Sequence, residues 1–351
     1  MIDELILHIG MPKTGTTSIQ RALHAARGGE DWTYLDLNPP HSANPVILRA
    51  HDGLAPVSLH PGPRRVRSPE AAHRHMTRAL EAVRTRRAIL SAEAMVRLPP
   101  AAVASLLSHL SRHARTIRAV AYIRPPYSFI TSYVQQFYKT GHAPLENVLR
   151  RAARPIPADI AMWEHALGAD RVSLFPFARA AFAGGSVVRH FAEALALGTL
   201  PEQTLDANVS LGGEATRLLY QFRRRYPVRA NADGRILFRL AKLEGQGFQL
   251  HPDCFGGVTP TVEATHAWAR SRMGWDMDDP APMATPRAVA TDAGFDDILP
   301  ETLDWLAKNT ARPMSALNGD PDAIADAVCS LRDRPTLQGI VGRVVRQFKR
   351  A

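Results

Sequence analysis

The residues Gly10-Met11-Pro12-Lys13-Thr14-Gly15-Thr16-Thr17-Ser18 gather two glycines, a lysine and a run of hydroxyls into one short turn. The two glycines have the spacing of the phosphate-binding pattern G-x-x-x-x-G-K-[ST], whose backbone N–H groups cradle phosphates. In that pattern the residue after the second glycine is lysine; here it is Thr16, and the lysine lies inside the turn at Lys13. A nucleotide-hydrolysing lysine reaches the β- and γ-phosphates while the next Ser or Thr holds Mg²⁺. A lysine two residues before the glycine would instead approach a group attached to a 5′-phosphate. Taken without its surroundings, the same stretch would be a helix-capping turn with Thr16 or Thr17 as N-cap.

Such a loop works only between a buried strand and a helix N-terminus. Leu5-Ile6-Leu7-His8-Ile9 is a short apolar run that reads as a buried parallel strand, and Ile19, Ala22 and Leu23 set a helical face over about 16–25. Further strands are expected at Ala88–Leu90, Ile117–Ile123 and Val172–Phe175, and helices over about 69–86, 100–113, 126–138, 159–167 and 186–196. Residues 38–68, rich in Pro, His and Arg, read as loop. Beyond about 205 the strands stop: helices are expected over 214–226, 235–243, 299–309 and 321–349, with a Gly-, Pro- and Asp-rich stretch over 252–296. The expected fold class is therefore α/β, a P-loop-like three-layer α/β/α arrangement around a central parallel sheet, plus a mostly helical C-terminal part. Three consecutive regions follow: a core over 1–205, a helical part over 206–280 and a helical extension over 281–351 with a basic tail. Parallel crossovers collect the strand C-termini on one edge, where ligands of such folds bind.

Pro12-Lys13-Thr14-Gly15-Thr16-Thr17-Ser18 resembles the 5′-phosphosulfate loop, P-K-[ST]-G-T-[TS], of sulfotransferases that use 3′-phosphoadenosine 5′-phosphosulfate (PAPS). The resemblance implies that Lys13 meets the oxygen bridging phosphate and sulfate, and that Thr14, Gly15, Thr16, Thr17 and Ser18 cradle the 5′-phosphate. It also implies that Arg124, after the third strand, and Ser132, eight residues on, bind the 3′-phosphate. Looser similarity runs through Phe175-Pro176-Phe177, Gly184–Val188, Phe191 and Asn208–Leu211, covering about residues 5–225. Two features depart from the family: Ser18 stands where many cytosolic members stack a tryptophan on adenine, and the late Gly-rich basic motif is not recognisable. The pattern is closer to bacterial and carbohydrate-type members.

Sulfuryl transfer, argued by analogy with phosphoryl transfer, needs a positive charge at the leaving oxygen and a positioned acceptor. Lys13 with the loop amides is the expected clamp, and no metal is needed; no His/Cys/Asp group has metal-ligand spacing in the sequence. An alcohol acceptor also needs a general base. Glu93, in Ser91-Ala92-Glu93 at the end of the second strand, is favoured; the alternative for it is a helix N-terminal or ion-paired carboxylate. His41 is second and Asp36 third.

Composition agrees with this class and excludes others. With 351 residues, 45% hydrophobic and 22% charged, the chain is globular and long enough for a large core. Two cysteines, Cys254 and Cys329, allow at most one bridge, so a disulfide scaffold is excluded. A net charge of +10 favours an anionic partner. Arg64–Arg67 and Arg84–Arg87 read first as solvated faces, although they could hold an anionic glycan. The basic end 343–350 reads as an amphipathic closing helix that could touch anionic lipid. No apolar run is long enough to span a bilayer, and a cytoplasmic location is expected. The expected activity is sulfuryl transfer from PAPS to a hydroxyl of a carbohydrate or glycoconjugate, releasing 3′,5′-adenosine bisphosphate. The alternatives are a P-loop kinase or NTPase, which the missing Gly-Lys-[ST] opposes, and a basic nucleic-acid-binding protein, for which no recognition motif is present.

Overall fold

The computed structural model describes residues 1–38, 43–52, 68–178, 182–202, 211–228, 230–310, 312–317 and 319–332. His41, the loop 53–67 with Arg64–Arg67, Asn208–Ser210 and the basic end 343–350 lie outside the described residues. The chain divides into two compact units, one formed by Met1–Tyr133, Ala152–Asp206 and Val258–Pro280, the other by Val134–Arg151, Ala207–Gly257 and Ala281–Ala351. Both units join segments distant in sequence, whereas the sequence reading runs its regions consecutively.

The first unit is built on five parallel strands: β1 (Ile2–His8), β2 (Trp32–Tyr34), β3 (Arg87–Ser91), β4 (Ala114–Ile123) and β5 (Val172–Pro176), in the order β2-β3-β1-β4-β5. The central strand β1 pairs with β3 on one side and β4 on the other, so the chain changes direction of travel across the sheet at the loop after β1. That switch point is where open parallel sheets leave a crevice for ligands. Both faces are covered. Alternate residues of β1 point to opposite sides. Ile6 joins Ile19 and Leu23 of α1 (Thr16–Ala26) and Phe191 of α8 (Val187–Ala194) in one apolar cluster with Val120 and Tyr122. The fully buried Leu5 and Leu7 are left for the opposite layer, where α4 (Pro100–Leu110) and α7 (Ile156–Leu167) pack together and α7 lies on β4.

The alternation of strands and helices is as the sequence reading has it, with three additions in this unit. β2 has three residues, too short for a periodic signal. Part of the expected loop 38–68 is helical: α2 (Asn44–Ile47) runs into a π-helical turn, Leu48–Asp52, ahead of α3 (Pro69–Glu81). α11 (Thr259–Met273) arises inside the Gly-, Pro- and Asp-rich stretch. It is tied to α7 by Arg272 Nε donating to Glu164 Oε1 at 2.6 Å.

The second unit is helical, as expected for the later part of the chain. Leu218, Leu219 and Phe222 of α9 (Gly213–Arg225) pack with Ile236 of α10 (Ala230–Leu240), Leu306 of α12 (Pro300–Thr310) and Val328 of α13 (Pro321–Ser330). α6 (Leu145–Ala152), not foreseen from the sequence, also belongs to it. Within this core Arg223 Nη1 donates to Asp233 Oδ2 at 2.8 Å, both side chains being almost fully buried. Cys254 and Cys329 are free thiols. Among the described residues no helix is long and apolar enough to cross a membrane.

Candidate anion-binding site at the end of the central strand

The loop after β1 is shaped by two glycines that no other residue could replace without cost. Gly10 has φ +62°, and a Cβ there would stand 2.9 Å from the Glu93 Cα. Gly15 has φ +76°, and a Cβ there would stand 2.6 Å from Val187 Cγ1 at the start of α8. The first therefore lets the end of β3 approach the loop, and the second lets α8 close over it. Backbone bonds lock the same neighbourhood: Ala92 N donates to His8 O at 3.1 Å, and Val96 N to Ile9 O at 3.2 Å.

Inside the turn the hydroxyls take different roles. Thr14 Oγ1 donates to Met11 O at 2.6 Å and Thr16 Oγ1 to the same carbonyl at 3.3 Å, both side chains being buried. These two hydroxyls brace the turn. Thr17 is exposed and Ser18 half-buried on the first turn of α1. The N-cap of α1 is Gly15 in the left-handed conformation, not Thr16 or Thr17, and no side chain caps it. No acidic residue occupies the first turn either, so the positive end of the helix keeps its polarity.

Lys13 is one of the few non-glycine residues at positive φ, +66°. L-residues avoid this conformation, and its retention marks a position that the surrounding structure enforces. Arg124 supplies part of that enforcement, since its Nη1 donates to Lys13 O at 2.8 Å. The half-buried ammonium of Lys13 is held below the usual lysine range, first by burial and then by the Arg124 charge, with Glu93 acting in the opposite sense. Glu93 opens a 3-10 turn, Glu93–Arg97, directly after β3. Burial pushes its carboxyl above the usual range, against the pull of Lys13, Arg97 and Arg154. A lysine, an arginine and a carboxylate whose proton affinity is raised thus meet at one strand edge, a combination that binds an anion and can accept a proton beside it.

Arg124 sits between β4 and α5 (Pro126–Thr140), as its sequence position predicts. Its Nε donates to Ser128 Oγ at 3.0 Å, and its guanidinium lies 5.8 Å from the Phe177 ring centroid. Ser132, one turn beyond Ser128 on α5, is half-buried. The positive end of α5 beside Arg124 is taken by a residue that the sequence reading did not single out. Asp279 accepts from Tyr127 N at 2.8 Å and from Ser128 N at 3.3 Å, and its carboxylate also meets His266 Nε2 at 3.1 Å. The side chain is almost fully buried. An Asp more than 150 residues from the helix it caps leaves no local signal.

Of the remaining base candidates, Asp36 pairs with His24 Nδ1 on the last turn of α1, and His41 lies outside the described residues. Beneath the loop, buried His8 bonds through Nδ1 to Ser91 Oγ at 2.8 Å, and Gln20 Nε2 donates to the same hydroxyl at 3.1 Å. This triad pins β1, β3 and α1 together under the site. Burial pushes the His8 imidazole down to about 4.

No family model matches this chain, and no curated protein does. Among solved structures, a sulfotransferase from Alicyclobacillus acidocaldarius is similar, with 14% identity and a TM-score of 0.44 over 78% of this chain and 96% of that one.

Proposed function

We propose that this chain transfers a sulfuryl group from PAPS to a hydroxyl acceptor, in the first place on a carbohydrate or glycoconjugate. The observation that carries the reading is Lys13: a lysine inside the turn, held at φ +66°, its carbonyl gripped by Arg124 and its charge opposed to Glu93. A lysine placed after the second glycine would serve a triphosphate; in the phosphosulfate loop that this turn resembles, a lysine inside the loop meets a group carried on a 5′-phosphate.

The donor set fits such a ligand on its 5′ side. The uncapped first turn of α1 offers N–H groups to a phosphate, with Lys13 beside them. On the 3′ side the fit rests on Arg124 and the half-buried Ser132, since Asp279 takes the N–H groups at the end of α5. When bound, the donor would supply an activated sulfuryl group on a phosphate leaving group. Lys13 counters the charge that gathers on the leaving oxygen as the S–O bond breaks, an electrostatic role that needs no proton transfer. Glu93, with its raised proton affinity, takes the proton from the attacking hydroxyl as the new S–O bond forms.

Thermal-shift titration with 3′,5′-adenosine bisphosphate, ATP with Mg²⁺, and duplex DNA tests the reading. Stabilisation by the bisphosphate, lost in Arg124→Ala, supports it; stabilisation by ATP–Mg²⁺ alone or by DNA alone refutes it. An acceptor screen with sulfur-labelled donor then tests the carbohydrate class.

A further inference from the structure

Away from the loop, three histidines with no sequence proximity converge. His51 lies on the π-helical turn, His73 on α3 and His109 on the last turn of α4, and one ring nitrogen from each falls within 4.8 Å of the other two. α4 hands the chain to the start of β4, the end of that strand opposite Arg124. The cluster is therefore separate from the anion site. It borders a cavity of about 430 Å³ whose lining includes His73, Thr77, Ser105 and His109 together with Arg112 and His113.

The outward nitrogens explain which atoms face one another. His109 Nε2 bonds Thr77 Oγ1 at 3.0 Å, and His51 Nδ1 bonds Ser105 Oγ at 3.0 Å. His109 Nδ1 then meets His73 Nδ1 at 2.8 Å, while the buried His51 Nε2 has no hydrogen-bond partner. Two of the three rings are thus oriented by a hydrogen bond through the far nitrogen, as metal-ligating imidazoles are, and a metal ion would replace the proton shared by His73 and His109. Zn–N bonds of about 2.0–2.1 Å in a tetrahedral site put ligand nitrogens about 3.3 Å apart. The His73–His109 pair needs to open by about half an ångström to meet that spacing. No nitrogen pair is more than 4.8 Å apart, so the widest gap needs to close by at most about 1.5 Å.

We infer that His51 Nε2, His73 Nδ1 and His109 Nδ1 form a binding site for a divalent transition-metal ion, of which Zn²⁺ is the best matched, with solvent in the fourth position. Imidazole ligands select zinc, copper or nickel over magnesium or calcium. The charge of Arg112 beside His109 works against a bound cation, so the three imidazoles must outweigh it. The site would clamp the π-helical turn, α3 and α4 to one another.

The test uses the untagged full chain, stripped with a chelator and titrated with Zn²⁺ by calorimetry, with metal content measured after dialysis. One ion per chain is expected, with Co²⁺ giving the intense visible bands of four-coordination. His51→Ala and His73→Ala, both at half-exposed positions, should retain the wild-type circular dichroism and lose the tight site. Thr77→Val should weaken Zn²⁺ binding by about 10–100-fold through loss of ring orientation. Less than one ion per wild-type chain, or unchanged affinity in both histidine variants, overturns the assignment.

Discussion

Replacing Lys13 by glycine and by alanine separates the backbone of this residue from its charge. At φ +66° a non-glycine residue carries a penalty of about 1–2 kcal/mol, which alanine retains and glycine does not. Glycine also loses more chain entropy on folding, about 0.5–1 kcal/mol. The net expectation is that Lys13→Gly exceeds Lys13→Ala in stability by roughly 0.5–1 kcal/mol. Arg124 grips the main-chain carbonyl and not the side chain, so the loop stays tethered in both variants. Both lack the ammonium, and both should lose turnover by about 10²–10³-fold, the usual effect of deleting one preorganised charge-stabilising group. Urea unfolding gives the stability order, and transfer of labelled sulfuryl to an acceptor gives turnover. An alanine variant as stable as the glycine variant would refute the left-handed placement. A glycine variant with wild-type turnover would refute the role of the charge.

Four further outcomes are expected. The pH profile of turnover should be bell-shaped: activity rises as Glu93 ionises at a pKa raised by burial and falls as Lys13 loses its proton at a pKa lowered by burial. Glu93→Gln should abolish turnover and leave bisphosphate affinity within a few-fold; a variant that still turns over removes Glu93 as base. Gly10→Ala forces a left-handed alanine against the Glu93 backbone at 2.9 Å, and a loss of at least about 2 kcal/mol, with bisphosphate binding impaired, should follow in calorimetry. His8, neutral in the fold down to about 4, favours folding fully above its unfolded value of about 6.5, and that contribution is lost as pH falls towards 4. The loss amounts to about 3 kcal/mol, read as a falling urea midpoint between pH 7 and 4; His8→Asn should flatten the slope, and an unchanged slope would show that His8 does not titrate in this way.

Local order in the chain was enough for the strand–loop–helix unit around Lys13. A branched apolar run, two glycines at positions of positive φ and an amphipathic helix are short-range preferences that show in ten or twenty residues. The same holds for β3, β4 and β5, and for Arg124 at the end of β4. β2 escaped because three residues carry no period, and α11 because its start is rich in Thr and Pro and it lies among Gly- and Asp-rich segments.

What only the tertiary structure decided are the encounters across long sequence separations. Glu93 comes against Gly10 because β3 pairs beside β1; Asp279 reaches the end of α5; His51, His73 and His109 converge from three elements. Each depends on how helices are laid against the sheet to exclude water from apolar faces. That packing is a property of the whole chain, and no spacing along it carries the distance between two side chains it brings together.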